Sequence, residues 1–410
     1  MTVHVGIGFV TGRKNFKYVL RTHINNWLEH GLITNKKICL HLFVAYDLKY
    51  QNTEVKDYKN IDPLLIELID SVTFIGEALI NKEISELTAS GKVDASEAEL
   101  IFGDGYAKKR NSVLYFAMKH KMDKLIFLDD DEYPMAVFKD DHKIISWTGQ
   151  KIVGTHVKYN DDADITHGHH CGYISPIPSI DFNKSLTEND FKLFIETISN
   201  DIISWENVKK NIITNNGITF GDNRIVRNST VKEIEEIHGM KFISGANMCF
   251  NFRRGNKIPP FFNPPGARGE DTFMSTCLTD LKVLKVPCYA FHNGFSTHNH
   301  LLNGVLPVQF LPIDGKNPSV KNRFINATIG WIRYKPLLMY ITQPENYESI
   351  IREMKLKLEI TIPKLCNYFE TQKFEQLHLE LAHYDKNVKK HFASFQNTKK
   401  VWAKITEAYK

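Results

Sequence analysis

The sequence predicts an α/β protein with a mostly parallel, doubly wound sheet flanked by helices, followed by a helical C-terminal region. Two observations predict this class. Short apolar segments alternate with segments of helical spacing over most of residues 1–310, as strands and crossover helices do in a parallel sheet. From about Gly315 onward only helical patterns remain, notably over 347–358 and 374–392. We therefore expect an α/β domain over 1–310 and a helical basic region over 311–410.

The first part of the chain carries the regular alternation. A predicted strand over 3–10 is followed by residues 16–30, where Leu20, Ile24 and Leu28 recur four residues apart as on one helix face. The next predicted elements are a strand over 37–46, a helix over 63–69, a strand over 72–75, a helix over 106–121 and a strand over 124–128.

Two insertions interrupt this order. Residues 51–105 contain polar, helix-compatible sequence that is hard to place, and residues 160–235 are polar and rich in Asn and Asp. The alternation resumes at Phe242, and a strand over 283–291 closes it after a helix predicted over 272–281. Neither insertion has a predicted architecture.

Composition is that of an ordinary globular protein, with 42% hydrophobic and 24% charged residues. The first residues lack the basic and apolar regions of a signal peptide, and no apolar run is long enough to cross a bilayer. The six cysteines show no CxxC spacing, which indicates reduced thiols. These features predict a cytoplasmic protein.

The net charge of +5 is unevenly distributed, because the excess of basic over acidic residues falls within residues 311–410. Lysines and aromatic residues alternate near the end of the chain, a pattern that suits anionic lipid head groups or nucleic acid. A solvated helix face with buried aromatics would give the same pattern. We expect peripheral contact with the inner membrane face through this segment and do not expect nucleic acid as a partner. The sequence says nothing about oligomeric state.

One apolar strand runs directly into four acids. Residues 124–128 are followed by Asp129, Asp130, Asp131 and Glu132. Adjacent carboxylates repel one another, and a hard cation such as Mg²⁺ or Mn²⁺ would neutralise them while holding a substrate phosphate. Ligands of open α/β sheets bind beyond the carboxyl ends of the strands, where these acids lie. A solvated acidic turn is the alternative interpretation.

Other segments accompany the acidic strand in a definite order. A turn at 11–13 ends the first strand, and 105–111 (GYAKKRN) opens the helix before the acids. Then come 245–250 (GANMCF), 265–271 (PGARGED) and a histidine-rich segment from 292. In this order the segments resemble the metal-dependent GT-A glycosyltransferases, especially the large inverting family that includes polysaccharide-building enzymes.

The resemblance implies a GT-A fold and a role for each matching residue. Asp271 would be the general base and Glu270 would bind sugar hydroxyls. Asp131 would bind Mn²⁺ or Mg²⁺ together with His292, with His298 as second choice. The residues that would bind the donor are Thr11, Gly12, Arg13, Arg110, Asn111, Asp129, Asp130, Gly245, Ala246 and Arg268.

The implied activity is metal-dependent hexosyl or hexosaminyl transfer from a nucleotide-sugar, with UDP favoured over GDP and with inversion. The acceptor is expected to be a saccharide or a lipid-linked molecule. His169, His170 and Tyr173, followed by a rigid Pro-Ile-Pro segment, are expected to wall the acceptor side. The cluster over 167–171 does not have the spacing of a structural zinc site and is interpreted as an active-site loop.

Other functions remain open at this stage. The acceptor could be a modified nucleic-acid base. The chain could also be a phosphohydrolase with a DxD strand, although that motif normally lies near the N-terminus. A non-catalytic protein that binds anionic surfaces through its C-terminal segment is a third alternative. The sugar, the linkage and the acceptor itself cannot be read from the sequence, since fold does not determine function.

Overall fold

The computed structural model describes residues 2–199, 204–255, 258–295 and 299–409, with the side chains of Asn211 and Asn299 left out. The strands in these ranges are β1 (Val3–Thr11), β2 (Ile38–Tyr46), β3 (Ser71–Ile75), β4 (Lys124–Asp129), β5 (Glu132–Tyr133), β6 (Met135–Lys139), β7 (Ile145–Gly149), β8 (Ile165–Tyr173), β9 (Lys232–Glu233), β10 (Met248–Asn251) and β11 (Val283–Asn293).

The helices fall into two groups. Those before residue 311 are α1 (Phe16–Glu29), α2 (Val55–Lys59), α3 (Pro63–Ile66), α4 (Glu77–Ala89), α5 (Ala95–Ile101), α6 (Tyr106–Lys119), α7 (Ile152–Tyr159), α8 (Glu188–Ile198), α9 (Trp205–Asn211), α10 (Asn223–Arg227) and α11 (Glu270–Ser275). Those after it are α12 (Pro318–Thr342), α13 (Tyr347–Tyr368), α14 (Gln376–Lys386) and α15 (Val388–Thr406).

The main sheet confirms the predicted α/β class. Its strand order is β3-β2-β1-β4-β10-β8-β11-β5, with β9 added to β11. β1, β2, β3 and β4 are parallel, and β8 is parallel to β11, whereas β10 runs antiparallel between β4 and β8. β4 is almost entirely buried because helices cover both faces, which explains why its sequence is continuously apolar.

The histidine-rich segment over 167–171 is not a loop, and that prediction is wrong. It forms most of β8, an interior strand of the sheet. The segment lacks the apolar run typical of a buried strand, because hydrogen-bonded histidines replace aliphatic residues. His156 on α7 contacts Thr166 Oγ1 at 2.7 Å, and His167 contacts Ser244 Oγ at 2.7 Å. Buried polar groups are tolerated when they have such partners.

Several predicted boundaries also differ from the structure. The strand expected near Phe242 begins only at Met248, and the helix predicted over 272–281 ends at Ser275. The helical pattern over 374–392 is two helices, α14 and α15, which meet at Asn387. Local spacing cannot detect these breaks, since tertiary packing decides them.

The C-terminal helices pack onto the insertion that interrupts the alternation. α13 lies against α8, and one hydrophobic core joins side chains of 177–212 to those of α12–α15. Phe395 and Trp402 are buried, whereas Lys400 between them is exposed and Lys399 is partly exposed. The aromatic residues of the basic segment therefore contribute mainly to the core, and the division at residue 310 stays a prediction.

Within the described residues, no helix has both the length and the apolar composition that crossing a bilayer requires.

Candidate active site

The candidate site is a cavity of about 580 Å³ where β4, β8 and β11 approach the start of α11. Acidic and basic side chains from the sheet line it together with apolar side chains from α8, α9 and α12. The carboxyl end of β4 opens into the cavity, in agreement with the rule for open α/β sheets. Asp129 and Glu132 at the end of β4 thus share one space with the Glu-Asp pair of α11.

Arg110 on α6 connects these two groups of acids. Its buried guanidinium donates through Nη2 to Asp129 Oδ1 at 2.9 Å and through Nη1 to the carbonyl of Gly245. Arg110 Nε also lies 3.5 Å from Glu270 Oε1. Protein acceptors occupy Nη1 and Nη2, whereas Nε has no hydrogen-bond partner among the described residues, so Arg110 orients Asp129 and forms only an ion-pair contact with Glu270. Its predicted contact with the nucleotide stays a prediction.

Two residues at the turn after β1 contact Asp130, the second of the four consecutive acids. Thr11 Oγ1 donates to Asp130 Oδ2 at 2.6 Å, and Arg13 Nε lies 3.0 Å from Asp130 Oδ1. Burial raises the pKa of Asp130 to about 7, although Arg13 opposes this shift. A side chain at Gly12 would collide with Tyr50, because an added Cβ would lie 2.5 Å from the Tyr50 Cβ. These contacts hold the first strand against the acids.

Asp131 faces His292 across the edge of the sheet. β5 pairs antiparallel with β11, with Glu132 opposite His292, and this pairing places Asp131 Oδ1 3.4 Å from His292 Nε2. The other Asp131 oxygen accepts from Arg13 Nη2 at 2.6 Å. Burial opposes ionisation of Asp131, but the nearby His292, Arg13 and Arg323 outweigh it and hold the Asp131 pKa below its ordinary value.

The donor atoms of this pair fit a divalent cation. His292 Nδ1 lies 2.7 Å from the carbonyl oxygen of Tyr173, which can only accept, so Nδ1 carries the proton. Nε2 either carries a second proton, which it donates to Asp131 Oδ1, or presents its lone pair, and in the second state a cation can bind between the two acceptors. No group of three or more His, Cys, Asp or Glu ligands occurs among the described residues. Asp131 and His292 would therefore hold the ion together with phosphate oxygens and water.

His298, the second choice for a metal ligand, lies outside the described residues.

Asp271 is the carboxylate best placed to act on a proton. It lies in the first turn of α11, where Oδ1 accepts from the Thr272 N–H at 2.8 Å and Oδ2 from the Gly245 N–H at 3.1 Å. Burial and the neighbouring Glu270 raise the pKa of Asp271 to about 7, against the effect of Arg110. A carboxylate with this pKa suits a general base near neutral pH.

The remaining predicted donor residues lie at different distances from the cavity. Gly245, Ala246 and Arg268 line it. Asn111 is fully buried and instead holds the backbone of Phe261 with two hydrogen bonds, of 2.9 and 2.7 Å. Asn111 thus has a clear structural function, and its contact with a donor stays a prediction.

The predicted acceptor residues separate into three environments. His170 lines the cavity, with Nε2 3.0 Å from Glu132 Oε1. His169 packs against the Tyr289 ring, with the ring centroids 5.0 Å apart. Tyr173 is fully buried, and its hydroxyl donates to a backbone carbonyl at 3.2 Å. Tyr173 contributes to the site through its carbonyl, which accepts from His292 Nδ1.

The sequence does not indicate two exposed tyrosines near the turn after β1 as site residues. Tyr50 follows β2 and Tyr106 begins α6, and their rings meet edge to face with centroids 6.2 Å apart. Each is about half exposed, so part of each ring face is accessible to a ligand. No local signal identifies Tyr50, since only the pairing of β1 with β2 brings it beside Gly12.

α12 contributes further side chains that the sequence did not indicate. Trp331 and Tyr334 line the cavity. Arg323 lies over the Phe295 ring at 4.4 Å, and its guanidinium belongs to the charges that lower the pKa of Asp131. The predicted appendage therefore supplies part of the site wall.

Comparisons with known proteins add little. No protein-family profile matches the chain, and no curated protein matches its sequence. Among solved structures, the mannosyltransferase Ktr4p of S. cerevisiae in complex with GDP is similar to 48% of this chain and 47% of its own, with 13% identity and a TM-score of 0.19. The chain thus spans about half the length of that structure, and at this TM-score the similarity carries no argument about activity.

Proposed function

We propose that the protein is a metal-dependent glycosyltransferase that moves a sugar from a nucleoside diphosphate to an acceptor hydroxyl. One observation carries the proposal. A single cavity is bordered by the Asp131–His292 pair, whose facing acceptors suit a cation, and contains a buried carboxylate, Asp271, with a pKa of about 7. Displacement of a diphosphate by a hydroxyl needs these two functions in one space.

A divalent ion held by Asp131 and His292 would neutralise the charge that develops on the departing diphosphate. Asp271 would take the proton from the acceptor oxygen as that oxygen attacks the anomeric carbon. Arg110 keeps Asp129 and Glu270 near each other, where they would contact the sugar. Because the attacking oxygen and its base approach the carbon from the side away from the diphosphate, the proposed outcome is inversion.

UDP is the proposed nucleotide, and Mn²⁺ or Mg²⁺ the proposed ion. The exposed rings of Tyr50 and Tyr106 lie beside the turn after β1, where a nucleobase could stack on an aromatic face. Such stacking tolerates either uracil or guanine, so the preference for UDP over GDP rests on the family resemblance alone.

The proposal is tested by calorimetric titration with UDP and with GDP, in the presence and absence of Mn²⁺. Wild type and Asp141→Asn, which changes an exposed acid, are expected to bind one of the two nucleotides only with Mn²⁺. Asp131→Asn is expected to lose that binding, since it removes a charged ligand. Absence of metal-dependent binding of both nucleotides to wild type would refute the proposal.

A further inference from the structure

The floor of the cavity carries basic side chains that the proposed transfer chemistry does not use. Lys285 on β11 and His167 and His170 on β8 all line it. Lys285 Nζ lies 3.0 Å from His167 Nδ1, and the rings of His167 and His170 are 5.8 Å apart. The parallel pairing of β8 with β11 places Lys285 directly opposite His167.

Lys285 has no counter-charge among the described residues. No carboxylate there forms an ion pair with it, and its only polar contact is the imidazole of His167. Lys285 keeps some accessible surface through the cavity, but its ammonium is enclosed by protein. This burial lowers the pKa of Lys285 to about 7. An enclosed amine without an acid beside it is stabilised as a cation when an anion enters.

A metal site is a poor explanation of the same cluster. Both nitrogens of His167 are engaged, Nδ1 by Lys285 and Nε2 by the Ser244 hydroxyl at 2.7 Å. The group therefore suits an anion better than a cation.

The cavity lining also includes a group of apolar side chains that belong to, or pack against, one hydrophobic core. Ile177, Ile195, Val208, Ile212 and Trp331 line the same cavity. We refer to the part of the cavity lined by Lys285, His167 and these apolar residues as one half. A molecule bound in this half would place a charged group near Lys285 and an apolar portion against the apolar side chains. A plain neutral saccharide would leave the apolar side chains and the lysine without matching groups.

We propose that this half of the cavity is an acceptor subsite for an amphipathic anion, in which Lys285, with His167 beside it, binds a phosphate or carboxylate group. The inference rests on the proposed function, because it assigns the acceptor side of the same cavity. It adds the chemical class of the acceptor: the attacked hydroxyl belongs to a molecule that carries both a negative group and an apolar portion.

Protonation accompanies binding. The groups that face Lys285 or act on its charge are His167, His169 and His170 on β8, His156 on α7 and Cys288 on β11, and Glu132 lies farther along the floor beside His170. None of these histidines can neutralise an ammonium. At pH 8 the free enzyme holds Lys285 largely as the amine, so an entering anion raises its pKa and one proton is taken up.

The test uses hexanoate and hexyl phosphate as anionic probes and hexyl glucoside as the neutral probe with the same chain. Calorimetry at pH 8 in two buffers of different ionisation enthalpy measures both affinity and proton uptake. We expect both anions to bind wild type more tightly than hexyl glucoside, with proton uptake on binding of hexanoate, which does not itself titrate at this pH. Binding of only one anion identifies a carboxylate or a phosphate as the natural group.

Lys285→Met keeps the length of the side chain and removes its charge. We expect this variant to bind the anions at least about tenfold more weakly, as for loss of a charge-assisted contact. Lys282→Met, at an exposed position three residues earlier, is the matched control and should bind as wild type does.

Equal binding of neutral and anionic probes, or hexanoate binding without proton uptake, would overturn the inference even if Lys285→Met fails to fold. Titration with nucleoside diphosphate and Mn²⁺ separates the two proposals. If the nucleotide binds and the anions do not, only the acceptor subsite is wrong. If the anions bind and the nucleotides do not, the cavity is an anion site and the transferase proposal is wrong.

Discussion

At the residue scale, the partners of each buried charge decide its role. Arg110 lies beside acidic acceptors, with Asp129 at 2.9 Å and Glu270 at 3.5 Å, whereas among the described residues the Lys285 ammonium contacts an imidazole and no carboxylate. Both are buried basic groups, and the sequence indicates only the first. The arginine organises acids of the protein, and we propose that the lysine binds a group from outside.

Replacing Arg110 by Met should destabilise the fold, because Asp129 and Glu270 would lose their shared counter-charge. Breaking a buried ion pair typically costs about 3–5 kcal/mol. Urea unfolding monitored by circular dichroism measures the change. Arg224→Met, which breaks a single solvent-exposed pair, should leave the unfolding midpoint unchanged. A similar small effect in both variants would contradict the organising role of Arg110.

Asp271→Asn should lower turnover about 10²- to 10⁴-fold, the usual contribution of a general base. Donor affinity should change little. Collapse of nucleotide binding in this variant would instead make Asp271 a binding or structural residue.

The raised pKa of Asp271 also predicts the shape of the pH profile. The base must be ionised, so turnover of wild type should rise as pH increases through about 7, and Asp271→Asn should lack this rise. Stability should change in the opposite sense, because a carboxyl group whose pKa is higher in the folded state favours folding below its unfolded pKa. This contribution is lost as pH rises from about 4 to about 7. A turnover profile of wild type that is flat between pH 5 and 8 would exclude Asp271 as the general base.

At the scale of elements, α12 has two functions, since it belongs to the C-terminal core and it also lines the cavity. Gly330 allows the helix to approach Arg268 closely, because an added Cβ would lie 2.5 Å from Arg268 Cγ. The atoms that must move, Cγ and Cδ, lie near the root of the Arg268 side chain, so a substitution here requires a different Arg268 rotamer and should alter the site.

Gly330→Ala is therefore expected to lower transfer activity by displacing Arg268, without lowering the free energy of unfolding by more than a few tenths of a kcal/mol. Alanine favours a helix interior over glycine by about 1 kcal/mol, which offsets the local rearrangement. Activity and urea unfolding are measured on the same preparation. Gly154→Ala on α7, where a Cβ would meet nothing closer than 4.0 Å, is the control and should retain activity. Loss of stability in Gly330→Ala without loss of activity would show that Arg268 is unimportant to the site.

At the scale of the whole molecule, the C-terminal helices belong to the same packed body as the sheet. Trp402 Nε1 donates to the carbonyl of Ile258 at 2.8 Å, and Trp402 joins the core that contains α6. Lys404 pairs with Glu97 on α5 at 2.5 Å. These contacts extend over the sheet domain, so the basic segment has a structural role whether or not it touches a membrane.

Deletion of residues 386–410 is accordingly expected to destabilise the whole protein. Removing buried aromatic side chains such as Phe395 and Trp402 costs about 3–5 kcal/mol each. Thermal unfolding should shift to lower temperature by many degrees. An unchanged melting temperature would mean that the last helix is dispensable.

Membrane contact through the basic segment is better tested by changing its surface charges alone. Glutamine at the exposed lysines 386, 389, 390 and 400 should preserve the melting temperature. It should reduce sedimentation with anionic vesicles at low salt, because each basic residue near such a surface contributes about 1 kcal/mol. Equal sedimentation of wild type and the variant would show that the basic segment does not contact the membrane.

The sequence by itself determined the parts that depend on neighbouring residues. β1, β2 and β4 follow from continuous apolar runs, α1 and α6 from helical spacing, and the place of the acids from their position directly after β4. Periodicity and the carboxyl-end rule need no distant contact. For this reason the α/β class and the location of the acidic run at the cavity could be predicted.

The tertiary structure alone decided which side chains meet. The pairing of β5 with β11 places His292 opposite the acids, and the pairing of β8 with β11 turns a polar segment into an interior strand that faces Lys285. Packing of α12 adds Trp331, Tyr334 and Arg323 to a site that the first 310 residues were expected to complete. These contacts join residues more than a hundred positions apart, and their free energy comes from burial and hydrogen bonding that no local pattern records.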